Sequence, residues 1–451
     1  MKTKTYTITL LTILLLITSQ MAPAQLPKET EAQKTQRMKW WTDARFGMFI
    51  HWGLYALPAR HEWVKNRERL TTEQYQKYFE NFNPDLYNPK EWARMAKEAG
   101  MKYVVLTAKH HEGFCNWDSK FTDYKSTNTP FGRDIIRDYV DAFRAEGIKV
   151  GFYYSLIDWH HPDYTIDRNH PQRQEYDTAY ARLNKGKDMN RYREYMKNQV
   201  RELLTNYGEI SIIWFDFSFP GKNGKGRQDW DSENLLKLAR SLQPGIIVDD
   251  RLDLKDVEGG WDFTTPEQYK VTKWPEVNGK RVAWETCQTF SGSWGYYRDE
   301  TSWKSPAQLL ELLVESVSKG GNLLLNVGPT ARGTFDNRAQ ERLKAMGEWM
   351  KYNNRSVYNC TEAPAGFVPP ANSILTYNPT SKRLYVHLLA YPMGSLTLAN
   401  MADKVKYVQF LHDASEIRFS TGNNETKNDI NLQLPVLKPP VEIPVLEVFL
   451  K

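Results

Sequence analysis

Cysteine is scarce in this chain: Cys115, Cys287 and Cys360 are the only three in 451 residues. So odd and sparse a set does not make a disulfide framework, and a chain this long buries a core without covalent staples. Buried free thiols are expected, with one bridge as the alternative. Long apolar runs are also missing. Beyond the first two dozen residues nothing approaches the ~20 apolar positions a membrane helix needs. Charge of one sign is weak, with 60 basic against 54 acidic residues and a net +6. The two signs are interleaved, which argues against a nucleic-acid partner. No Gly-x-Gly-x-x-Gly follows the first apolar run, which argues against a dinucleotide fold. There is no His-x-His and no His-Glu-x-x-His, nor any solenoid repeat or low-complexity segment.

What is present begins with a leader. Lys2 and Lys4 precede an apolar run over 10–17, and Ala22-Pro23-Ala24 offers the small-x-small pattern of a cleaved signal peptide. Residues 1–24 are therefore expected to be removed, leaving a soluble, exported chain whose net charge falls from +6 to +4 with those two lysines. Aromatics are abundant, with 15 Trp and 25 Tyr, several beside His, Asp and Glu. Sugar rings have apolar C–H faces and polar edges, and flat aromatics next to charged groups match both.

From about residue 40 to 350, short apolar β-branched runs alternate with helical patterns. Strands are expected at 46–50, 103–107, 149–154, 210–215, 246–249, 282–285 and 323–327. Helices are expected at 89–99, 134–146, 189–207, 231–242, 306–318 and 338–352. Continuous apolar strands separated by helices indicate a parallel sheet covered on both faces. Seven or eight such units point to a (β/α)₈-type barrel. The last ninety residues carry short alternating strands at 373–377, 383–389, 405–411, 430–434 and 445–450, the pattern of a C-terminal antiparallel β-sandwich. The expected division is 25–355 for the barrel and 356–451 for the sandwich.

Active sites of such barrels lie at the C-terminal ends of the strands. The expected strand ends carry His51, the run Lys109-His110-His111-Glu112, then Tyr153, Tyr154 and Asp158. They continue with Trp214 and Asp216, Asp249-Asp250-Arg251, Trp284-Glu285 and Asn326. Asp216 stands out, because the run before it is apolar enough to be buried and no helix starts at 217–220 for it to cap. A carboxylate at a dry barrel mouth suits nucleophilic attack at a sugar carbon. A second carboxyl group is needed as acid/base. Glu267, in a long loop after the fifth strand, and Glu285, at the expected end of the sixth, compete for it, and pattern alone leaves them nearly tied. His51, His110 and His111 raise a metal-dependent hydrolase as a rival. Adjacent residues on a strand point to opposite sides, so His110 and His111 are not expected to share a metal.

The segments Arg45-Phe-Gly-Met-Phe-Ile-His-Trp-Gly53, Lys109-His-His-Glu-Gly-Phe-Cys-Asn-Trp117, Asp123-Tyr-Lys-Ser126, Gly151-Phe-Tyr-Tyr-Ser155 and Asp158-Trp159 closely resemble glycoside hydrolase family 29, the α-L-fucosidases. So do Ile213-Trp-Phe-Asp216, Asp250-Arg251, Trp284-Glu285, Ser293-Trp-Gly-Tyr296 and Gly320-Gly-Asn-Leu-Leu-Leu-Asn-Val-Gly-Pro329. The resemblance runs in order through most of the barrel. It implies a retaining exo-acting fucosidase without cofactor or metal, acting on fucosylated oligosaccharides or glycoconjugates by double displacement. It implies Asp216 as nucleophile and Glu267 as acid/base, with Glu285 as the alternative. His51, Glu62, Trp63, His110, His111, Tyr153, Trp214 and Arg251 are implied to hold the fucose hydroxyls or line the sugar site, and Phe49 and Trp294 to face its C6 methyl group. A catalytically silent fucose lectin on the same fold remains the alternative of another class.

Overall fold

The computed structural model describes residues 29–176 and 178–451. The expected leader, 1–24, lies outside the described residues. Helix α1 (Glu31–Ala44) opens on a capping box in which Thr30 accepts from the Gln33 amide. Strand β1 (Phe46–Ile50) follows, then α2 (Val64–Arg67), α3 (Thr72–Glu80), α4 (Pro89–Glu98), β2 (Tyr103–Lys109), α5 (Ile135–Ala145) and β3 (Lys149–Ser155). Next come α6 (Thr178–Leu183), α7 (Met189–Thr205), β4 (Ile212–Asp216), α8 (Arg227–Trp230), α9 (Ser232–Leu242) and β5 (Ile247–Val248). A small hairpin, β6 (Glu276–Val277) with β7 (Lys280–Arg281), precedes β8 (Glu285–Thr289), α10 (Pro306–Ser318), β9 (Asn322–Val327) and α11 (Asn337–Asn353).

Seven of these strands form one parallel sheet in the order β5-β4-β3-β2-β1-β9-β8. Period-two alternation sorts their side chains. Phe49, Tyr103, Val105, Tyr153, Ile212, Trp214, Ile247 and Leu324 pack together inside, while Met48, Ile50, Val104, Leu106, Phe152, Ile213 and Phe215 face the helices. The helices answer with one apolar stripe each: α5 is capped by Asp134, which accepts from the Arg137 amide, and buries Ile135, Ile136, Tyr139, Val140 and Phe143.

The sheet closes through an eighth, irregular stave that the apolar pattern did not reveal. Asp249 bridges Phe263 in parallel, Thr264 bridges Trp284, and Glu267 bridges Cys287. On the β8 side the stave makes several backbone hydrogen bonds, among them Glu285 N to Thr264 O (2.9 Å) and Cys287 N to Pro266 O (3.1 Å). On the β5 side the Asp262 amide donates to Val248 O (2.8 Å), and the Asp262 carboxylate takes the place of a backbone carbonyl by accepting from the Val248 amide (2.9 Å). That carboxylate also accepts from Arg37 of α1 at 2.7 Å and Arg240 of α9 at 3.3 Å. The result is a closed (β/α)₈-type barrel.

Two placements differ from expectation. Glu267 stands at the end of this eighth stave rather than in a free loop. The strand expected at 282–285 instead begins at Glu285, so Glu285 lies at the opposite end of the barrel from the strand termini around Asp216. Its sequence Glu-Thr-Cys-Gln-Thr is fully buried although mostly polar, because its side chains find partners: Gln288 and Thr286 both donate to Tyr269 O.

After α11, β10 (Ser373–Asn378), β11 (Arg383–Leu388), β12 (Ser395–Leu398), β13 (Val405–Phe410), β14 (Phe419–Thr421), β15 (Ile430–Gln433) and β16 (Val445–Leu450) form two antiparallel sheets, β10-β11-β16-β13 and β12-β15-β14. Leu384, Val386 and Val448 from one and Leu396, Leu398 and Leu432 from the other share one core, which makes a β-sandwich. Trp349 of α11 ties the two regions together by donating its indole N–H to Ile443 O (2.9 Å). All three cysteines are buried free thiols.

Candidate active site

A cavity of about 430 Å³ opens at the C-terminal ends of the barrel strands. It is walled by Phe49, His51, Glu62, Trp63, His110, His111, Tyr153, Trp214, Asp216, Arg251, Glu267 and Trp294, so every residue the family resemblance implies for the site, except Glu285, meets there, while the strand-end candidates Lys109, Glu112, Tyr154, Asp158, Asp249, Asp250, Trp284 and Asn326 do not line it. A larger groove of about 900 Å³ runs between α4 and α11 on the outside of the barrel and holds none of these groups.

Asp216 is the last residue of β4 and points inward in phase with Ile212 and Trp214. Both its oxygens act as acceptors: Oδ1 takes Nη1–H of Arg251 at 2.9 Å, and Oδ2 takes the Tyr153 hydroxyl at 2.7 Å. His111 Nε2 lies 3.9 Å from Oδ2. Arg251 is a shared clamp. Its guanidinium stacks 4.4 Å from the Trp214 ring centre, donates from Nε to the Thr265 hydroxyl at 2.9 Å, and pairs through Nη2 with Glu267 Oε2 at 2.9 Å. Although burial works against the cation, Asp216 foremost and then Cys287, Glu267 and Asp249 raise the Arg251 pKa well above its usual value. Glu267 itself is 43 % exposed, whereas the Asp216 side chain is only 10 % exposed. One carboxylate is thus dry and fixed, and the other reaches solvent. Beneath them Asp249 is fully buried and accepts from the Phe215 amide at 3.0 Å; burial first, then neighbouring Asp250, pushes its carboxyl well up.

Hydrogen bonds fix the tautomers of two histidines. The Asn326 amide donates to Trp294 O at 2.6 Å, which turns its Oδ1 toward His51 Nδ1, also at 2.6 Å. His51 therefore donates from Nδ1 and carries a lone pair on Nε2. The Ser155 hydroxyl donates to Ile157 O at 2.8 Å and so accepts from His111 Nδ1 at 2.7 Å, leaving a lone pair on His111 Nε2 as well. Burial, reinforced by the adjacent His110, pulls both imidazoles well below their usual pKa, so both stay neutral. Two neutral acceptors facing a cavity suit the hydroxyl protons of a sugar.

His110 and His111 do not diverge as adjacent strand residues would. Strand β2 ends at Lys109, the next residues form a turn, and the two rings sit 4.1 Å apart on the same wall. No group of three or more His, Cys, Asp or Glu suited to a metal ion is found among the described residues. Glu62 is buried; its Oε2 accepts from the Gly295 amide at 2.9 Å, and its Oε1 lies 3.1 Å from His61 Nδ1 without receiving a hydrogen bond. Phe49 packs against Trp214 and Trp294, forming an apolar wall.

Glu285 is set apart from this cavity. It is buried on the barrel floor, accepts from the Tyr103 hydroxyl, and has its pKa pushed up to about 7 by burial, against the Tyr103 hydrogen bond and the nearby indoles of Trp41 and Trp214.

The Alpha-L-fucosidase family profile matches residues 14–355. The chain belongs to the α-L-fucosidase family. Among solved structures, α-L-fucosidase isoenzyme 1 from Paenibacillus thiaminolyticus is 44% identical, with a TM-score of 0.87 over 93% of this chain and 99% of that one. An α-L-fucosidase of family GH29 from Bacteroides thetaiotaomicron, trapped as a covalent intermediate with 2-fluoro-fucosyl fluoride in a Glu-to-Gln variant, is 30% identical with a TM-score of 0.79 over 92% and 96%. The tissue α-L-fucosidase of Mus musculus is 31% identical over 344 residues, 71% of each chain. Against this α-L-fucosidase fold, the sequence reading missed His61, Asn66, Arg67, Phe217, Gln268, Cys287 and Gly292, which also line the cavity. Phe217, His61 and Gln268 adopt left-handed backbone with φ of 89°, 93° and 51°. A non-glycine residue gives no sequence signal for that conformation; Cys287 was hidden by the misplaced strand.

Proposed function

We propose that this chain is an exported, retaining, exo-acting α-L-fucosidase that releases terminal L-fucose from oligosaccharides or glycoconjugates without a cofactor. The observation that carries the reading is one guanidinium, Arg251, holding Asp216 and Glu267 at 2.9 Å each. Two carboxylates on one planar cation suit the ~5–5.5 Å separation of retaining glycosidases. Asp216, dry and oriented by Tyr153 and Arg251, attacks the anomeric carbon. Glu267, on the solvent side, protonates the departing oxygen and then activates water to release the sugar with retained configuration. His51 and His111 accept sugar hydroxyl protons at their Nε2 atoms, and Glu62 offers its Oε1, which receives no hydrogen bond from the protein. Phe49 and Trp294 face the C6 methyl group; a sugar with a hydroxymethyl there would leave its hydroxyl unpaired against that wall. The covalent intermediate of the Bacteroides thetaiotaomicron relative supports the two-step course. Among the described residues no helix is long and apolar enough to cross a membrane.

Incubation with 4-nitrophenyl α-L-fucoside, with and without a chelator, tests the proposal. Release of nitrophenol unaffected by chelator, with the first sugar product in the α configuration by proton NMR, is the expected result. No release would favour a lectin, chelator-sensitive release a metal enzyme, and a β product an inverting mechanism.

A further inference from the structure

Behind His110, outside the sugar cavity, lies a cluster of buried polar groups that the mechanism does not use. Glu112 is 1% exposed, and neither of its oxygens has a hydrogen-bond partner. Lys65 Nζ, the Tyr75 hydroxyl and His110 Nδ1 are equally buried and make no hydrogen bond. These atoms belong together. His110 Nδ1 is 3.3 Å from Glu112 Oε2, and Lys65 Nζ is 5.1 Å from the Tyr75 ring centre. Burial pulls the Lys65 ammonium down to about 8 even though Glu112, foremost among its acidic neighbours, supports the cation. A Cβ added to Gly53 would meet Glu112 Oε1 at 3.0 Å, so a larger residue there would displace the carboxylate by a few tenths of an ångström.

Buried charges without direct partners are satisfied by ordered water or they destabilise the fold. The position of this pair is informative. Lys65 sits in α2, directly after Glu62 and Trp63. Glu112 sits in the turn that carries His110 and His111, against the glycine that follows His51 and Trp52. Glu112 touches two of these segments, through His110 and beside Gly53, and its charge acts on the Lys65 ammonium of the third.

We propose that Glu112 and Lys65 form a water-bridged positioning pair that fixes the spacing between the His110–His111 turn and the Glu62–Trp63 segment, with Glu112 holding His110 in its Nδ1–H tautomer. His110 then presents a lone pair on Nε2, as His51 and His111 do. The inference rests on the sugar-binding reading of the cavity.

The test compares the wild type with Lys65→Met, Glu112→Gln and the double variant, using affinity for a fucose-shaped iminosugar, kcat and KM on 4-nitrophenyl α-L-fucoside, and the thermal midpoint. Each single change is expected to weaken iminosugar binding about ten-fold or more and to raise KM by more than it lowers kcat. The double variant is expected to lose less than the product of the two single losses, because removing both members leaves no uncompensated charge. Losses that multiply, or binding that does not change, overturn the pair. If a single variant fails to fold, histidine side-chain ¹⁵N spectra of the wild type decide the tautomer: Nδ1–H at His110 is expected, and Nε2–H refutes the assignment. A wild type that neither binds the iminosugar nor cleaves the fucoside would sink the fucosidase reading itself, which is a separate result.

Discussion

Replacing Glu285 by Gln should flatten one part of the stability–pH profile without touching the carboxylates at the cavity mouth. Glu285 is completely buried on the barrel floor, and its carboxyl is carried from 4.5 to about 7. A folded-state value above the unfolded one means that Glu285 contributes most below about pH 4.5, and that this contribution is lost as the pH rises through about 7. At about 1.4 kcal/mol per pH unit, the wild type gives up on the order of 3 kcal/mol between those limits on account of this one group. Gln keeps the shape and has no proton to lose. The buried histidines His51, His111 and His387 act in the opposite direction, since their lowered values cost stability as the pH falls, but they are common to both chains and cancel in the difference. Urea unfolding followed by tryptophan fluorescence, from about pH 4 to about pH 8, measures that difference. The variant should gain on the wild type by about 3 kcal/mol across the range, most steeply between about pH 5 and 7. A difference that stays constant with pH would refute the burial of a protonated Glu285.

Four further outcomes are expected. Asp216→Ala should lower kcat on every fucoside by roughly 10³-fold or more, while Glu267→Ala should spare activated aryl fucosides and recover with added azide; the same signature in Glu285→Ala instead would reassign the acid/base. Arg251→Met should cost about 10²–10³-fold in kcat/KM, the usual price of one preorganised donor, with kcat falling more than KM rises, as steady-state kinetics will show. Phe217→Gly should melt higher than Phe217→Ala, the reverse of the usual order, by about 1 kcal/mol, because φ is 89° there and only glycine adopts it freely.

The barrel was legible wherever burial on both faces forces an unbroken apolar strand: β1, β2, β3 and β9 were found to within two residues. It failed where packing and polarity part company. Val282, Ala283 and Trp284 look like a strand, yet the strand is the polar run that follows, whose hydroxyls and amide are satisfied locally. The stave at Phe263–Thr264 is too short, and too close to Pro266, to carry a period. The short strands β12 and β14 were lost in loop-like composition for the same reason. For the site, twelve of the thirteen expected residues line one cavity; strand-end position and chemical type mark His51, His110, His111, Tyr153, Trp214, Asp216 and Arg251, whereas Phe49, Glu62, Trp63 and Trp294 came through the family resemblance alone. Tautomers are not, because they depend on Asn326 and Ser155, which meet their histidines only in three dimensions.

The Asp262 carboxylate, by standing in for a missing carbonyl beside β5, also decides whether the barrel has a rim at all. A closed sheet offers no unpaired strand to another molecule, whereas an open one is a template for pairing. Between β5 and the eighth stave a single side chain carries much of that closure, with Arg37 and Arg240 holding it in place. Loss of Asp262 would therefore do its harm less through the energy of the folded chain than through what the chain meets while folding. Ile247 and Val248 would become an exposed edge, and the penalty would appear as aggregation that grows with protein concentration during refolding.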